Sequence, residues 1–533
     1  MNIKIFPNLS LKKSEYKLWL GNFAILCLVH SFLICHFVWG NHDWYSVVYG
    51  NGVAAGLIEG RFSQYFITNL LLDGQIFPLV NVVLGFMAYA LALTLLYTRF
   101  FVFKYSPWGI FTLAAVNILP YIVEILYFQF IVLSQLLWPL IITISLLAAK
   151  KAGTSQWWVL WSIFSGILMF AVIGGYPAAV NLYLTAALLY LLQNIPKKPC
   201  IKQVLRQALP FAFSLILAFG ALYLVHMWLR KHHLMMDMYN NQPLSIKNLI
   251  LKIPFMYIAA LQSLLQVQPY LSLSLKLVMT IIIILCLAYI VICSSYRQRI
   301  FRLVLFMVLP LCLKFSAWLI NENPDEYFAQ HDPAIFMLRT DFYAIPVLVL
   351  FCLNFNISKA SRIIKNIMFV LTILLLVDNL NAAFHFGKTQ VLGKSGEALL
   401  QQRINNRILE HPAFNFRQNY FLLQAGEIPF RPRYYQKHEL EKYGYYTLQI
   451  PSTRYWLPAE FYAFYEPENF VLSGEAIHPE DISHQMIDFL MMGVAAWPAA
   501  NSLYVDKQRI IVVLTSEGKS MLKQQFNQLG LNK

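Results

Sequence analysis

The chain contains 533 residues, of which 58% are hydrophobic, 15% aromatic and 13% charged. The charged share is about half that of a typical soluble protein, and seven cysteines are too few for a small scaffold held by disulfides. The net charge of +15 would fit a nucleic-acid partner, so its meaning depends on where the basic residues lie.

Long apolar runs follow one another along the first 383 residues. A run of about 20 apolar residues matches the thickness of a bilayer core. The sequence therefore predicts a polytopic α-helical membrane protein with about eleven transmembrane helices. The runs lie at approximately 18–39, 79–98, 108–123, 130–148, 157–174, 178–193, 208–229, 274–293, 301–320, 342–356 and 367–383.

The connectors between the runs alternate in charge. Those on the side of the N-terminus are rich in lysine and arginine and contain one acid, Glu15, whereas the others contain more acids than bases. Basic connectors stay on the cytoplasmic side of a membrane. The N-terminus is therefore predicted to be cytoplasmic, and the positive net charge is explained without a nucleic-acid partner.

One further apolar stretch, Leu249–Val267, contains Lys252 and Pro254. A twelfth span here would place the basic segment 297–302 on the outside, against the charge rule. An interfacial or re-entrant helix capped by Ser245 is predicted instead.

After the last run the composition changes, and residues 384–533 carry nearly balanced charge without an apolar run. An odd number of spans places this part on the outer side, as a small α+β domain. Its predicted strands are Tyr443–Ile450 and Arg509–Leu514, and its predicted helices are Ile482–Met492 and Lys519–Leu529.

The first outer connector begins Asn41-His42-Asp43-Trp44-Tyr45. Asp43 is predicted to lie where the first span emerges, and a partly desolvated carboxylate there could take a proton from a sugar hydroxyl. The alternative is a solvated acid beside an aromatic belt, which is common at membrane surfaces.

The same connector continues into Phe62–Leu72, which is predicted to form an amphipathic helix at the membrane interface. The apolar face is predicted to carry Phe62, Tyr65, Phe66 and Leu70, and the opposite face Ser63, Gln64 and Asn69.

Three more features lie at the outer ends of predicted spans. Glu124 is a carboxylate in an apolar stretch, which marks a functional site unless the side chain reaches interface water. The turn 174–177 joins the fifth and sixth runs tightly, as expected where a helical hairpin needs glycine flexibility. Arg339 could hold a lipid phosphate in its planar fork, or it could snorkel or pair with Asp341 at the surface.

The sequence contains no clear motif for binding a cofactor or a nucleotide. The acidic group Glu322, Asp325, Glu326, His331 and Asp332 could bind a divalent metal through oxygen ligands, but a solvated loop explains it more simply, and no metal or other cofactor is predicted. The chain has no GxxxxGK[ST], GxGxxG, HExxH or GxSxG motif, which argues against a nucleotide-driven pump on this chain alone.

The loop carrying Asp43, followed by Gly60-Arg61-Phe62 and an amphipathic stretch to Pro78, resembles the serotype-converting O-antigen glucosyltransferases of bacteria and their phages. These polytopic enzymes are grouped with the GT-C glycosyltransferases. Their loop has an acidic pair before Trp and a later Gly-Arg-Trp, so His42 here replaces the first acid and Phe62 the Trp. The turn at Tyr176 is similar to their Gly-x-Tyr-Gln segment, and the resemblance covers approximately residues 1–383.

The resemblance implies an inverting transfer of a sugar, often glucose, from a polyprenyl-phosphate carrier to O-antigen or a related lipid-linked glycan. The reaction would take place at the outer face of a bacterial inner membrane, with residues 384–533 in the periplasm. It implies that Asp43 is the general base, and Glu124 is predicted as a second catalytic carboxylate because it lies within an apolar stretch. The substrate-binding residues would be His42, Trp44, Arg61, Tyr176, Arg339 and Asp341.

Other classes stay open. A flippase or transporter of lipid-linked sugars needs polar groups along its path, and the predicted spans hold few ionisable residues beyond Lys314 and Asp378. An O-antigen polymerase or ligase would share an outer-face site, but segment 321–341 is short and acidic rather than rich in arginine. A purely structural scaffold would leave Asp43 and Glu124 unexplained.

Overall fold

The computed structural model describes residues 11–36, 61–72, 77–126, 131–196, 198–234, 246–265, 272–316, 333–355 and 361–415, with shorter pieces from 420 to 524. The chain divides into two compact units. The first comprises Met1–Cys35 and Val53–His385, and the second comprises His36–Gly52 and Phe386–Lys533.

Helices dominate the first unit, and each of the eleven predicted apolar runs coincides with helix over most of its described length. The helices are α1 (Lys13–Val29), α2 (Ser31–Cys35), α3 (Phe62–Leu72), α4 (Pro78–Leu95, followed by a π-helical turn Leu96–Phe100), α5 (Pro107–Asn117), α6 (Tyr121–Leu126), α7 (Val132–Ala152), α8 (Trp158–Ile173), α9 (Val180–Asn194), α10 (Ile201–Lys231), α11 (Ile246–Leu265), α12 (Leu273–Ile292), α13 (Tyr296–Leu313), α14 (Pro333–Asn354) and α15 (Arg362–Leu409).

Within the described residues, five helices are long and apolar enough to cross a membrane. A helical membrane protein is thereby supported, whereas the count of eleven spans stays a prediction. The five segments are Leu79–Phe100, Val132–Ala152, Ile201–Lys231, Leu273–Ile292 and Arg362–Lys388.

Two predicted spans are interrupted. The first is divided at His30, where α1 ends and α2 begins. The third is divided between Asn117 and Tyr121, in a segment that contains Pro120, which has no backbone N–H to donate. Each piece is therefore shorter than the single helix that the hydropathy pattern predicts.

The basic residues at several helix ends gather at one end of the bundle, which we call the basic end (Arg99, Lys150 and Arg302). Lys150 Nζ donates to the carbonyls of Arg99 (2.8 Å) and Phe100 (2.7 Å). The Arg99 guanidinium in turn binds both carboxylate oxygens of Glu15, at 2.9 and 2.7 Å. Arg302 donates to a carbonyl in the last turn of α12, at 3.2 Å.

Side-chain amides and an indole join further helix ends there. Gln193, in the last turn of α9, donates to the carbonyl of Phe101 (2.9 Å), and Gln298 in the first turn of α13 donates to Ile195 (3.1 Å). Trp108 Nε1, at the start of α5, donates to a carbonyl near the end of α14 (3.1 Å). Connectors predicted to share one side of the membrane therefore lie together.

The helix α3 has the predicted bounds, and its polar face packs against the protein. Ser63, Gln64 and Thr68 are buried, while Phe66 is 61% exposed. An apolar surrounding such as lipid reverses the usual preference, so the polar side chains turn toward the protein. Of the predicted apolar face, Phe62 is buried as well.

Helix α11 confirms the helix predicted over Leu249–Val267, and it is too short in its apolar part to rank with the five long segments. One face packs on α12 and α13: Thr280 Oγ1 donates to the carbonyl of Leu264 at 3.0 Å, and the Tyr257 hydroxyl donates to the carbonyl of Met307. The predicted cap, Ser245, lies outside the described residues, and the interfacial location stays a prediction.

The second unit contains a four-stranded sheet in the order β2-β1-β4-β3, formed by β1 (Tyr420–Ala425), β2 (Phe470–Val471), β3 (Leu503–Val505) and β4 (Arg509–Val513). β1 is parallel to β2 and β4, and β3 is antiparallel to β4. β4 confirms the strand predicted at Arg509–Leu514. The predicted strand Tyr443–Ile450 and most of the helices Ile482–Met492 and Lys519–Leu529 lie outside the described residues.

Helix α15 extends to Leu409, well beyond the predicted end at 383. Its last turns belong to the second unit, in which Ile404 and Ile408 are buried. Arg407 donates to the carbonyls of Pro498 (3.0 Å) and Ala499 (2.9 Å). These contacts attach the end of the helix to the segment that leads into β3.

Candidate functional site

Buried polar side chains converge around the turn between α8 and α9, at the end of the bundle opposite the basic end. We call this the site end (Tyr176, Lys314 and Asp341). The turn consists of Gly174 and Gly175, Tyr176, and a 3-10 turn, Pro177–Ala179. The backbone amide of Ser63 donates to the carbonyl of Gly174 at 3.1 Å, which ties the start of α3 to the turn.

The two glycines are required for close packing and not for backbone flexibility. Gly174 has a φ of −70°, which any residue adopts, so the predicted role of glycine flexibility is wrong for this position. A Cβ at Gly174 would lie 2.2 Å from the ring of Phe62, and one at Gly175 would lie 2.1 Å from the ring of Trp138. Aromatic rings from α3 and α7 therefore rest directly on the turn backbone.

Five residues form what we call the aromatic–amide cluster: Arg61, Gln135, Trp138, Tyr176 and Tyr343. The Arg61 guanidinium lies 5.5 Å from the centre of the Tyr176 ring, within cation–π range. The Tyr176 and Tyr343 rings lie 5.8 Å apart, inclined at 40°. The Tyr343 hydroxyl meets the side-chain oxygen of Gln135, and Trp138 lies one helical turn further along α7.

Pro139 leaves a backbone carbonyl free for one of the contacts of Tyr343. Pro139 has no backbone N–H, so the carbonyl of Gln135, four residues earlier, loses its helical donor. That carbonyl lies 3.3 Å from the Tyr343 hydroxyl. The break in the α7 hydrogen-bond ladder is thus used to anchor α14 at the site end.

Three ionisable residues form what we call the charged cluster: Lys276, Lys314 and Asp341. Lys314 Nζ and Asp341 Oδ1 form an ion pair at 2.5 Å, with side chains 3% and 0% exposed. Lys276 is also buried. Its ammonium donates to the carbonyl of Ser263 and lies 3.3 Å from the Tyr121 hydroxyl. It also interacts electrostatically with both Asp341 and Lys314.

The charged cluster is not neutral within the described residues, because it contains two ammonium groups and one carboxylate, which pairs with Lys314. In addition, Asp341 Oδ2 is buried without a hydrogen-bond partner. Buried charges are costly unless they are paired, and ionisable groups within apolar segments are by default functional. The arrangement is suited to hold an anion near Lys276, since a phosphate oxygen accepts strong hydrogen bonds from an ammonium group.

The two clusters are neighbours on the same elements. Asp341 and Tyr343 are two residues apart on α14, and each belongs to a different cluster. Asn181, just after the turn, bonds Ser316 twice: its Nδ2 donates to Ser316 Oγ and its Oδ1 accepts from the Ser316 amide, both at 2.9 Å. Ser316 follows Lys314 by two residues, so the start of α9 and the end of α13 are joined here.

Three of the predicted substrate-binding residues, Arg61, Tyr176 and Asp341, thus lie at the site end. The predicted surface pair of Arg339 and Asp341 is wrong, because Asp341 is fully buried and pairs with Lys314.

The other predicted site residues are described in part or not at all. Glu124 lies in α6 and Arg339 in α14, but their side chains are outside the described part of the structure. Asp43, His42 and Trp44 lie outside the described residues entirely, so their roles stay predictions.

Several site residues were missed from the sequence. Lys276 is the third residue of the predicted apolar run 274–293, and a lysine inside such a run is itself a signal of function. Gln135 could have been found through Pro139, because a proline inside a helix frees a carbonyl four residues earlier. Trp138 and Tyr343 carry no such signal, since buried aromatic residues are common in any core.

Among the residues that the structure describes, no group of three or more His, Cys, Asp or Glu could hold a metal ion. The acidic group 322–332 lies outside them. Comparisons with protein-family models, with curated proteins and with solved structures find no match to this chain. The fold and the apolar helices define the class: an α-helical membrane protein with a buried polar site at one end of its bundle.

Proposed function

We propose that the protein is a membrane glycosyltransferase that moves a hexose, glucose by the resemblance, from a polyprenyl-phosphate carrier to O-antigen or a related lipid-linked glycan. The observation that carries the proposal is the charged cluster, in which the buried Lys276 ammonium group lies near the ion pair of Lys314 and Asp341. An excess of buried positive charge beside apolar helices suits a substrate that combines a phosphate with a lipid tail.

In this proposal the reaction takes place at the outer face of a bacterial inner membrane. The basic end faces the cytoplasm, in keeping with the positive-inside rule, and the site end faces the periplasm. The N-terminus is cytoplasmic and residues 384–533 form a periplasmic domain. The lipid donor would reach the site through the membrane, with its phosphate held near Lys276 and its sugar presented to the acceptor.

The chemistry assigned by the resemblance is a direct displacement. Asp43 takes the proton of the acceptor hydroxyl, whose oxygen forms a bond to the anomeric carbon of the sugar. The bond from that carbon to the phosphate oxygen breaks, and polyprenyl phosphate leaves with the electron pair. One displacement inverts the anomeric configuration. Arg339 and Arg61 would stabilise the charge of the leaving phosphate, and Glu124 would be the second carboxylate.

The direct test is a transfer assay with the purified full-length protein in reconstituted membranes. Polyprenyl-phosphate-linked hexoses carrying a radioactive sugar would be incubated with an acceptor glycan, with and without a chelator. The proposal predicts a labelled glycan with inverted anomeric configuration and the release of polyprenyl phosphate. If no lipid-phosphate hexose donates its sugar to any acceptor glycan, the protein is not this enzyme.

The variant Asp43→Asn keeps the shape of the side chain but cannot take the acceptor proton. We expect it to fold, to bind the lipid donor as the wild type does and to transfer sugar at least about 100-fold more slowly. Trp108→Phe, at the basic end, is a control that should transfer normally. Normal transfer by Asp43→Asn would remove Asp43 from the catalytic role.

A flippase or transporter of lipid-linked sugars is the alternative that one observation favours. Lys276, Lys314 and Asp341 are all buried, and buried ionisable groups also mark transport paths through a membrane. The labelled sugar separates the two functions. A transporter moves the intact donor across a vesicle membrane, whereas an enzyme forms a new glycosidic bond.

A further inference from the structure

Two hydrogen-bond donors of the aromatic–amide cluster are buried without partners. Trp138 Nε1 and Gln135 Nε2 have no hydrogen-bond partner, and both side chains are 0% exposed. A buried donor without a partner costs about 1–3 kcal/mol. Because the two residues are three positions apart on α7, they lie on one face of the helix. The two unpaired donors are therefore close to each other.

The same side-chain types are satisfied at the basic end. Trp108 Nε1 donates to a backbone carbonyl at 3.1 Å, and Gln193 Nε2 donates to another at 2.9 Å. Trp19 Nε1 likewise donates to the carbonyl of Met87 at 2.9 Å. In these three cases the indole or amide donor has a partner within the protein. Trp138 Nε1 and Gln135 Nε2, which have none, both belong to the cluster beside the turn at Tyr176.

The surroundings of these donors indicate what would satisfy them. The rings of Tyr176 and Tyr343 lie 5.8 Å apart, and the cluster contains no acid. Sites that combine aromatic rings with a few placed polar groups bind ligands with both apolar and polar faces. A pyranose has such faces, because its axial C–H groups form an apolar surface and its hydroxyls both donate and accept hydrogen bonds.

We propose that the aromatic–amide cluster binds the sugar ring of a lipid-linked hexose, with Gln135 Nε2 and Trp138 Nε1 donating to its hydroxyl oxygens. The identity of the donor rests on the proposed function. The position of the two clusters supports a lipid-linked sugar phosphate as the ligand, since Asp341 of the charged cluster and Tyr343 of this cluster are two residues apart on α14. A phosphate near Lys276 and a sugar near Tyr176 would belong to one donor molecule.

The test compares two lipids on the full-length protein in detergent: polyprenyl-phosphate glucose, and polyprenyl phosphate without a sugar. Trp138→Phe keeps an aromatic ring at this position and removes the indole donor, and Gln135→Met keeps the length of the side chain and removes the amide. Each is expected to weaken binding of the glucose lipid about tenfold, equivalent to about 1.4 kcal/mol, and to leave binding of polyprenyl phosphate unchanged. The matched controls Trp108→Phe and Gln193→Met should bind both lipids as the wild type does.

A second measurement needs no variant, in case either substitution disturbs folding. Deoxyhexose lipids that lack one hydroxyl each are compared on the wild-type protein. At least one of them should bind about tenfold more weakly than the glucose lipid, because the site then keeps an unpaired donor. Equal binding of all the deoxyhexose lipids and of bare polyprenyl phosphate would overturn the proposal, as would equal loss of both lipids in the two variants.

The outcome is separable from that of the transfer assay. Sugar-dependent binding without transfer would leave this inference standing and refute the glycosyltransferase. Normal transfer and normal glucose-lipid binding in folded Trp138→Phe and Gln135→Met would refute the inference and leave the enzyme standing.

Discussion

The two ends of the helical bundle treat buried polar groups differently. At the basic end, Arg99 binds Glu15 through two hydrogen bonds, and Lys150 donates to two backbone carbonyls. At the site end, Lys276 adds a second buried ammonium group near a single ion pair, and Asp341, Gln135 and Trp138 each keep a buried atom without a partner. The basic end keeps two such atoms, Arg302 Nε and Gln193 Oε1, but both of those side chains donate hydrogen bonds to backbone carbonyls. Proteins keep such costly features where function needs them. The unused donors of Gln135 and Trp138 therefore favour the site end over the basic end as the place where we propose that a ligand binds.

The largest expected effect comes from breaking the buried ion pair. Lys314→Met or Asp341→Asn alone leaves a buried group without its partner, and we expect the free energy of unfolding to fall by about 3–5 kcal/mol. The double variant Lys314→Met, Asp341→Leu removes both groups of the pair and should recover part of that loss, because Lys276 stays buried without the Asp341 carboxylate near it. Thermal unfolding in detergent measures this.

The ion pair also allows folding to be separated from function. We expect the double variant to be stable and yet to bind the lipid donor poorly. A stable double variant with full transfer activity would mean that the ion pair serves the fold alone.

The next effect concerns the turn at the site end. Gly175→Ala would place a methyl group 2.1 Å from the ring of Trp138, and forcing extra volume into a packed site costs about 1–3 kcal/mol. The thermal midpoint should fall, together with affinity for the glucose lipid. Gly220→Ala is the control, since no atom lies within 4 Å of its Cβ position. A midpoint unchanged by Gly175→Ala would show that the turn is not closely packed.

The smallest effect belongs to the basic end. Glu15→Gln loses the charge-assisted bonds to Arg99, and we expect a loss of about 1–2 kcal/mol in stability with no change in transfer activity. Reduced transfer in this variant would contradict the division between the two ends.

The pH dependence of the same pair has a defined sign. The hydrogen bond from Arg99 lowers the pKa of Glu15 from 4.5 to about 2, and the backbone bond from Lys12 helps, while burial opposes the shift. The stabilisation from Glu15 is therefore fully present above about pH 4.5 and is lost as the pH falls toward 2. The stability difference between wild type and Glu15→Gln should be constant from pH 5 to 8 and shrink below that range. A difference that grows on acidification would refute this account.

Much of the helical organisation was predictable, because a run of about 20 apolar residues indicates a helix that is removed from water. The breaks at His30 and near Pro120 were not, since hydropathy averages over a local change in backbone direction. The extension of α15 to Leu409 carries mixed polar and charged residues without an apolar run, so composition indicated a domain boundary where the helix continues. Helix α3 was correctly bounded, because its apolar and polar residues follow the helical period.

The candidate site was predictable only in part. Arg61, Tyr176 and Asp341 were found through short motifs, and the structure brings them to one end of the bundle. Lys314 and Lys276 could not be matched to Asp341 from the sequence, because pairing across three helices depends on tertiary packing. The unpartnered donors of Gln135 and Trp138 are likewise a property of the fold, since the same residue types are satisfied elsewhere.

The central claim is that the site end binds a lipid-linked sugar phosphate through the surplus charge of Lys276. It is tested most directly by comparing transfer from polyprenyl-phosphate glucose by wild type, Lys276→Met and Lys150→Met. The account predicts that Lys276→Met is at least as stable as the wild type, because an unbalanced buried charge is removed, and transfers at least about tenfold more slowly. Lys150→Met should lose stability and keep its rate per folded molecule. Equal transfer by the wild type and Lys276→Met would contradict the account.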